Sequence, residues 1–211
     1  MRSRKLSEKE IALAVRRLSK NKTFAAAAKR FPIPTLTHSS NAFRALARAI
    51  IHQQLSTKAA STIEKRFRAL YRPKQFPMPK DVTATPLAEL RAAGLSGQKS
   101  GYLYDLAAKF SDKTVNPKHF HTMTDAEISE HVIRVKGIAQ WSADMFLVFA
   151  LNRPNVLPTG DLAIRKGAQL FFQLKSMPSP ERILKLAKPF SGDFTVFSLY
   201  LWKLADEAKN K

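Results

Sequence analysis

Cysteine is absent from this chain of 211 residues, and its absence excludes several kinds of chemistry. The protein cannot contain disulfide bonds, a cysteine nucleophile, a thiolate zinc site or a cysteine-bound iron–sulfur cluster. Long apolar runs are also missing, because the longest, Met145–Leu151, is far shorter than the roughly 20 residues of a transmembrane helix. No apolar segment follows the basic residues at the N-terminus, so we expect neither a membrane span nor a secretory signal.

Acidic residues are scarce relative to basic ones. The chain has 16 Asp and Glu against 36 Lys and Arg, which gives a formal net charge of +20. With 45% apolar and 25% charged residues, the composition is that of a folded globular protein. A positive excess of this size indicates a polyanionic partner. Nucleic acid is the first candidate, and an anionic membrane surface is the second.

Apolar residues recur mainly at helical spacing, and no segment alternates convincingly with the period that is typical of strands. Phe43, Leu46 and Ile50, for example, would lie on one face of a helix. The pattern predicts an all-α fold of about ten short helices, one of them running over 140–151. The proline-rich stretch 73–79 is the only linker-like segment, so the chain is predicted to form one domain.

A glycine turn between two predicted helices, around Gly137, carries the first functional signal. The second helix begins shortly after the turn, which leaves backbone N–H groups exposed at its start. Free N–H groups and the positive end of a helix dipole favour a phosphate, and Lys136 adds positive charge beside them. Such a turn can bind one DNA backbone without reading bases. An ordinary connection between two helices fits the same spacing.

Two aspartates, Asp144 and Asp161, are the only acidic residues between positions 131 and 180. Asp161 precedes a helical pattern and can act as its N-cap. A carboxylate in this basic setting can also lie against a sugar, where it would stabilise an oxocarbenium ion or orient a water. Both roles are compatible with one residue. Asp144 lies one turn inside the preceding predicted helix, and we assign it a structural role.

Four short segments match, in order, the sequence pattern of one known family. The hairpin is RVKGIAQW at 134–141, and the loop LPTGD ends at Asp161. The other two segments are AIIHQQLSTKAA at 49–60 and LRAAGLSGQK at 90–99. Together they resemble the DNA-3-methyladenine glycosylase II family in its compact form, within the helix-hairpin-helix glycosylases of base-excision repair. The resemblance covers about residues 40–205.

The resemblance implies an all-α, two-lobed helix-hairpin-helix DNA glycosylase fold, with residues 1–211 as one domain and the active site between the lobes. We expect no N-terminal β-domain of the kind that longer relatives carry, because the chain offers no strands to build it. The implied activity is hydrolysis of the N-glycosidic bond of alkylated purines, of the 3-methyladenine and 7-methylguanine type, in double-stranded DNA. The base would be flipped out of the duplex, and an abasic site would remain.

The resemblance also implies how the enzyme works and where. It implies a monomer inside the cell, in the bacterial nucleoid or the eukaryotic nucleus, with no cofactor and no catalytic metal. The hairpin carbonyls hold a structural monovalent cation in relatives, so the same ion is an expectation here. Bifunctional relatives place a Schiff-base lysine shortly after the last hairpin glycine. Trp141 stands at that position, so we expect no lyase activity.

The base pocket is assigned through the same resemblance. Asp161 matches the catalytic aspartate, and Trp141 and Trp202 match aromatic walls of the pocket. Met145, one helical turn after Trp141, can line the same pocket. An electron-rich tryptophan face attracts a cationic alkylated base. Core packing is the alternative for Trp202 and Met145, because both lie in apolar helical stretches.

The family places a plug residue, which fills the gap left by an extruded base, in the turn before the predicted helix that starts at Ser56. The match in this chain is Gln54, with Gln53 and Leu55 beside it. The helical count from Ile50 puts Gln54 on the apolar face, and a polar residue there indicates that this face has left the core. The alternative is that the helix has already ended before Ser56.

Two positions depart from the family's pattern. The second glycine of the hairpin is Ala139, a small residue that still permits a tight turn. The contacts of the hairpin with the DNA backbone are accordingly assigned to Lys136, Gly137 and Ala139. The family's Arg-Ser pair before the last helix is missing, because residues 188–195 read KPFSGDFT. The contact made by that pair is therefore not carried over to this chain.

Two other functions fit parts of the sequence. A non-catalytic helix-hairpin-helix DNA-binding protein would keep the hairpin and lose the activity. The altered stretch 188–195 favours that alternative, whereas the intact loop ending at Asp161 opposes it. A basic protein that binds RNA or a membrane surface would have no such site, and it would show no preference for damaged bases.

Overall fold

The structure is a computed structural model that describes residues 5–39 and 41–209. Regular structure in this part of the chain is helical and includes no strand, as the spacing predicts. The α-helices are α1 (Glu8–Leu18), α2 (Lys22–Arg30), α3 (Ala42–His52), α4 (Thr57–Ala69), α5 (Pro79–Thr83), α6 (Leu87–Ala92), α7 (Gly97–Ser111), α8 (Asp125–Ile133), α9 (Gln140–Met145), α10 (Leu162–Phe171), α11 (Pro180–Ala187) and α12 (Phe194–Lys209). Two 3-10 helices, Pro117–His119 and Lys188–Phe190, and a π-helix, Phe146–Ala150, are also present. No helix in the described ranges is long and apolar enough to cross a membrane.

The described residues form two compact units. The central unit comprises residues 39 and 41–146 and contains α3 to α9. The terminal unit combines residues 5–38 with residues 147–209 and contains α1, α2 and α10 to α12. From residue 5 the described chain therefore runs through the terminal unit, passes through the central unit and returns to the terminal unit within the π-helix.

Polar side chains at helix starts explain many of the helix boundaries. Each such N-cap accepts a hydrogen bond from an N–H of the first turn, which otherwise has no partner in the helix. The residues that do so are Ser7, Asn21, Asn41, Ser56, Ser96, Thr124, Asp161 and Ser179. The spacing of apolar residues did not predict α2, because Phe24 is the only large side chain that this helix buries.

The helix predicted over 140–151 is present over 140–150, but its hydrogen-bond pattern changes within it. The α-helix ends at Met145, and Phe146–Ala150 form a π-helix. Every residue of this stretch is apolar, so the sequence pattern cannot distinguish a helix with i to i+4 hydrogen bonds from one with i to i+5 bonds. Single π-turns occur often at functional sites. The prediction of a linker over 73–79 also needs correction at its end, since Pro79 is the first residue of α5.

Helix α7 lies at the centre of the packing in the central unit. Helices α3, α5 and α6 all pack against it, and its Leu103 and Leu106 are fully buried. Helix α4 packs against α3, where the buried carboxylate of Glu64 accepts hydrogen bonds from Arg48 and His52, both at 3.0 Å. These partners compensate for the cost of burying a charge.

The terminal unit is organised by a direct backbone contact between α10 and α12. A Cβ atom on Gly167 would lie only 2.1 Å from the carbonyl oxygen of Leu201, so no side chain fits at this position. Aromatic rings fill the core beside this contact. Phe190 and Phe197 stack with their centroids 4.2 Å apart, and Tyr200 is fully buried.

The segment 188–195, which departs from the family's pattern, has a structural role within the terminal unit. Asp193 accepts two hydrogen bonds from the Arg17 guanidinium, at 2.8 and 2.6 Å. The N–H of Gly192 donates to the side chain of Asn155 at 2.7 Å. The hydroxyl of Thr195 donates to the carbonyl of Arg153. The segment therefore joins α1, the loop after the π-helix and the start of α12.

The Gly167 contact gives the first testable prediction. We expect Gly167→Ala to lower the free energy of unfolding by about 2 kcal/mol or more, because the added methyl group forces two backbones apart. Gly101→Ala is the matched control, since Gly101 also lies in a helix but has open space around its Cβ position. The control should be neutral or slightly stabilising. Urea denaturation of both variants checks this, and equal losses would contradict the role of the close approach.

Candidate functional site

Asp161 is bound to a tryptophan of the terminal unit. Its Oδ1 accepts a hydrogen bond from the N–H of Ile164 at 2.8 Å, so the predicted N-cap of α10 is present. The same oxygen accepts a hydrogen bond from Nε1 of Trp202 at 3.1 Å. Asp161 is half-buried, and Trp202 is partly buried against the core of the unit. Trp202 therefore packs against the core and also contacts the candidate catalytic carboxylate.

Phe149 extends this pair and was missed by the sequence analysis. Its ring centroid lies 5.4 Å from that of Trp202, with an angle of 32° between the rings. Phe149 lies in the π-helix and is 44% exposed, although the residues on either side of it are buried. The sequence did not single out Phe149, because the residues on both sides of it are also apolar. Phe149, Trp202 and Asp161 thus provide two aromatic rings and a carboxylate in one unit.

The loop that carries Asp161 is fixed to α12 by buried hydrogen bonds. Thr195 is fully buried, and its hydroxyl accepts from the N–H of Val156 at 3.1 Å in addition to donating to the loop. The hydroxyl of Ser198 donates to the carbonyl of Val156 at 3.2 Å. The N–H of Asp161 donates to the carbonyl of Pro158 at 2.9 Å. The position of the aspartate is therefore set by the helix that also carries Trp202.

The hairpin turn, defined as residues 134–139, lies in the central unit between α8 and α9. Gly137 has a φ of 82°, and a Cβ atom on it would lie 2.1 Å from the ring of Tyr102. Both the backbone angle and the close ring therefore require glycine. Ala139 has a φ of −101°, which any residue adopts. This explains why the second hairpin glycine of the family can be replaced here.

Lys136 is held in the hairpin turn through its backbone. Its N–H donates to Oδ2 of Asp105 at 2.8 Å, so this N–H is already used. A phosphate would therefore be bound by the exposed side chain of Lys136. Asp105 also accepts two hydrogen bonds of 2.6 Å from the Lys109 ammonium. Burial would raise the pKa of Asp105, but the bonds from Lys109 and Lys136 outweigh it and hold this pKa below its usual value.

The plug turn is defined as residues 53–56. Its structure contradicts the prediction that Gln54 lies on the apolar face of a helix. Helix α3 ends at His52, so Gln54 does not continue its apolar face. Gln54 instead has a φ of 56°, in the left-handed region that is uncommon for residues other than glycine. Gln54 is exposed, and Leu55 is 39% exposed. The expected polar residue is therefore at the apex of a turn, and its role as a plug stays a prediction.

Gln53 and Lys99 fix the plug turn from inside the central unit. The side-chain amide of Gln53 donates to the carbonyl of Gly137 at 2.8 Å, so Gln53 contacts the hairpin turn. Nζ of Lys99 donates to the carbonyls of Ile51 at 2.7 Å and Gln53 at 2.6 Å. Burial lowers the pKa of Lys99. Lys99 ends the matched segment 90–99, but no local pattern pointed to these contacts, because its partners lie 48 and 46 residues away along the chain.

A cavity of about 620 Å³ lies on the central unit beside these turns. Trp141 and Met145, which the resemblance assigns to the base pocket, both line it. So do Gln53, Gln54 and Lys99. Trp141 is 50% exposed, which is unusual for a tryptophan that serves only core packing. The structure thus brings the predicted pocket residues of this unit together with the plug turn.

Asp144 is partly buried and is bound within its own helix, and its structural role stays a prediction. Its Oδ1 accepts a hydrogen bond from the side chain of Gln140 at 2.7 Å, one turn earlier in α9. Burial raises the pKa of Asp144 above its usual value, although the bond from Gln140 opposes this change. Its charged form therefore destabilises the folded state.

Metal ligation by side chains has no site in the described parts of the chain. No group of three or more histidine, aspartate or glutamate residues there could hold a metal ion. The expected monovalent cation would use backbone carbonyls of the hairpin turn. The carbonyls of Val135 and Gly137 each accept one hydrogen bond, from Ile138 and Gln53, and a carbonyl oxygen has two lone pairs. These oxygens suit a hard cation, and no reaction step depends on it.

An all-helical fold in which a glycine hairpin joins two helices, here α8 and α9 around Gly137, is typical of helix-hairpin-helix proteins. Residues 47–191 match the HhH-GPD superfamily of base excision DNA repair proteins, and the chain belongs to this family. The family that the sequence resembles is therefore confirmed.

One sequence relative and two solved structures show how far the similarity extends. The chain is 33% identical over 171 residues to DNA-3-methyladenine glycosylase 1 of Schizosaccharomyces pombe, covering 79% of this chain and 75% of the relative. The solved S. pombe 3-methyladenine DNA glycosylase in complex with abasic DNA is 28% identical, with a TM-score of 0.79 over 90% of this chain and 95% of that chain. A DNA-3-methyladenine glycosidase from Bacillus halodurans is 26% identical, with a TM-score of 0.85 over 99% and 95%.

Asp105 and Asp144, whose pKa values are shifted in opposite directions, should respond to substitution in opposite directions. The Asp105 carboxylate stabilises the fold above its unfolded pKa, and this contribution is lost as the pH falls through its lower folded pKa. The contribution of Asp144 decreases as the pH rises from its unfolded pKa through its higher folded pKa. At neutral pH we expect Asp105→Asn to lower the free energy of unfolding by about 1 kcal/mol. Asp144→Asn should raise it.

Urea denaturation of both variants, at neutral pH and near pH 3, measures these effects. The change caused by Asp144→Asn should disappear in acid, where both the folded and the unfolded protein bind the proton. Changes of the same sign in the two variants at neutral pH would contradict the assignment.

Proposed function

We propose that the chain is a monofunctional DNA glycosylase that removes alkylated purines, of the 3-methyladenine and 7-methylguanine type, from double-stranded DNA. The observation that carries this proposal is the Asp161 carboxylate, held at 3.1 Å by Nε1 of Trp202 beside the ring of Phe149. The family and the relatives described above support it. The product is a free base and an abasic site in the DNA.

The aromatic rings account for the choice of a damaged base. The target must leave the base stack, which costs a few kcal/mol and least for a damaged pair. A purine alkylated at N3 or N7 carries a positive charge, and a cation over a desolvated tryptophan face gains roughly 0.5–2 kcal/mol. Trp202 and Phe149 offer such faces in the terminal unit. In the central unit Trp141 offers another, and the resemblance implies a role in base binding for Trp141 and Met145.

The Asp161 carboxylate then supports departure of the base. The cationic base is already a good leaving group, so the bond between C1′ and the base nitrogen breaks with its electron pair going to the base. Asp161 stabilises the positive charge that develops on the sugar. Water adds to C1′ and loses a proton to solvent by way of the carboxylate. The hydrogen bond from Trp202 keeps the carboxylate oriented throughout.

The same arrangement explains why we assign no lyase activity. A lyase of this family requires a lysine amine that forms a Schiff base with the sugar. The position of that lysine is Trp141 in this chain, and an indole cannot form such a bond. Lys136 precedes the hairpin glycine, where its exposed side chain suits a phosphate.

The central unit is assigned to DNA binding. Gln54 and Leu55 are exposed at the apex of the plug turn, where they can fill the space left by the extruded base. Lys136, Gly137 and Ala139 are assigned to the DNA backbone. We propose that the protein acts as a monomer, without a cofactor, in the compartment of the cell that holds the genome.

Asp161→Asn tests the catalytic assignment without removing the helix cap. Asparagine caps a helix as well as aspartate does, so the fold and the affinity for DNA should be retained. Loss of the negative charge should slow release of methylated purines by about a hundredfold or more. Single-turnover release from alkylated duplex DNA, with a parallel binding assay, measures both properties.

The outcomes of this experiment separate the two candidate functions. Release by the wild type and its loss in the variant support the enzyme and the residue. Tight binding without any release by the wild type would instead favour a non-catalytic DNA-binding protein. Full activity of Asp161→Asn would reject the role of the carboxylate.

Binding to DNA should weaken steeply with salt, because each neutralised phosphate contributes a slope of roughly −0.9 to log K against log salt. Lys136→Met should reduce that slope by about 1, if its side chain contacts one phosphate. Lys118→Met removes the charge of another exposed lysine of the central unit and serves as the control. Fluorescence anisotropy over a salt series measures the slopes. A flat salt profile of the wild type would count against DNA as the partner.

A further inference from the structure

The two turns assigned to DNA are joined by hydrogen bonds within the central unit. The amide of Gln53 donates to the carbonyl of Gly137 at 2.8 Å, which links the plug turn to the hairpin turn. Nζ of Lys99 donates to the carbonyl of Gln53 at 2.6 Å, so the backbone of the same residue is held as well. Gln53 is thus fixed through both its side chain and its main chain.

Lys99 is chemically suited to this position. Its ammonium has three donors, and the last carbonyls of a helix have no partner within the helix. The second carbonyl that it binds, that of Ile51 at 2.7 Å, belongs to the last turn of α3. A cation at this end of a helix also interacts favourably with the helix dipole. Lys99 therefore caps the C-terminal end of α3, and it also binds the carbonyl of Gln53, the residue that follows the helix.

The first turns of α7 contact the hairpin turn as well as the plug turn. Tyr102, one turn after Lys99, packs its ring against Gly137 so closely that no Cβ atom would fit. The side chain of Gln98 donates to the Tyr102 hydroxyl at 2.6 Å. Both turns are therefore held by one helix of the same unit, α7.

Gln54 needs such support because its backbone is in an unfavourable region. A φ of 56° is disfavoured for a residue with a Cβ atom, and it persists only where the surroundings hold it. At the end of the plug turn, Ser56 caps α4 by accepting from the N–H of Ala59 at 3.3 Å. At the start of the turn, Lys99 binds the carbonyl of Gln53. The residues between these two contacts, Gln54 and Leu55, remain exposed.

We propose that Lys99, together with Gln53, is a positioning residue that holds the plug turn against the hairpin turn before DNA binds. This proposal rests on the proposed function, because it concerns the extrusion of the damaged base. A plug turn that adopts its competent conformation only part of the time lowers the effective extrusion constant by that fraction. Lys99 would thus control extrusion without contacting the DNA.

The experiment compares two substrates that differ in the cost of extrusion. One duplex carries an alkylated purine opposite its normal partner, and the other carries the same lesion opposite an abasic site, where no base pair must be broken. Lys99→Met keeps the aliphatic length and removes the ammonium, and Lys99→Arg restores donors. Gln53→Met removes the other link. Lys65→Met, at an exposed position of α4, is the control for loss of a positive charge.

We expect Lys99→Met to slow single-turnover release from the paired substrate by about tenfold or more. Release from the unpaired substrate and the dissociation constant for DNA should stay close to those of the wild type. A 2-aminopurine next to the lesion should report slower extrusion by its fluorescence. Lys99→Arg should recover most of the rate, and Gln53→Met should show the same selective loss. Lys65→Met should release both bases at the wild-type rate.

Several results would overturn the proposal. Wild-type release by Lys99→Met from the paired substrate would reject it while leaving the proposed function intact. Equal slowing on both substrates would indicate a direct contact with the reacting nucleotide or a damaged fold. If Lys99→Met does not fold, Gln53→Met decides the question, since it leaves Lys99 in place. If the wild type releases no base from either substrate, the proposed function fails and this proposal fails with it.

Discussion

The backbone contact between α10 and α12 is the constraint on which the rest of the terminal unit depends. Gly167 lets the two helices approach until there is no room for a methyl group beside the carbonyl of Leu201. Asp161 caps α10, and Trp202 follows Leu201 on α12, so the helix contact sets the distance between the carboxylate and the indole. A small change in helix spacing would therefore alter the orientation of the Asp161 carboxylate. The position of Asp161 depends on packing as much as on its loop.

The proposed reaction needs few catalytic groups from the protein. A cationic base leaves readily, so one oriented carboxylate and aromatic faces can supply the chemistry. The harder tasks are to bind a polyanion and to extrude a base from the duplex. The net charge of +20 serves the first task. The rigid turns of the central unit, around Gly137 and Gln54, are suited to the second.

Local interactions explain which features could be predicted from the sequence. The N-caps at Ser56, Thr124 and Asp161 bond to N–H groups within three residues, and such short-range chemistry is visible in the sequence. The prediction that Gln54 lies on the apolar face of a helix is wrong, because α3 ends at His52 and Gln54 lies in the turn that follows. The apolar stretch 146–150 gave no sign of a π-helix, since all its faces are apolar.

The sequence by itself determined the helical class, several of the helix starts, the hairpin glycine and the family, with Asp161 as the candidate catalytic carboxylate. These features depend on residue types and on spacings of a few residues. Only the tertiary structure decided that Trp202 binds Asp161, that Phe149 lies beside it, and that Lys99 and Gln53 join the two turns. The partners in these contacts are separated by 41 residues for Trp202 and Asp161 and by 84 for Gln53 and Gly137. Contacts over such separations arise from the packing of whole helices, so no local pattern of residues can specify them.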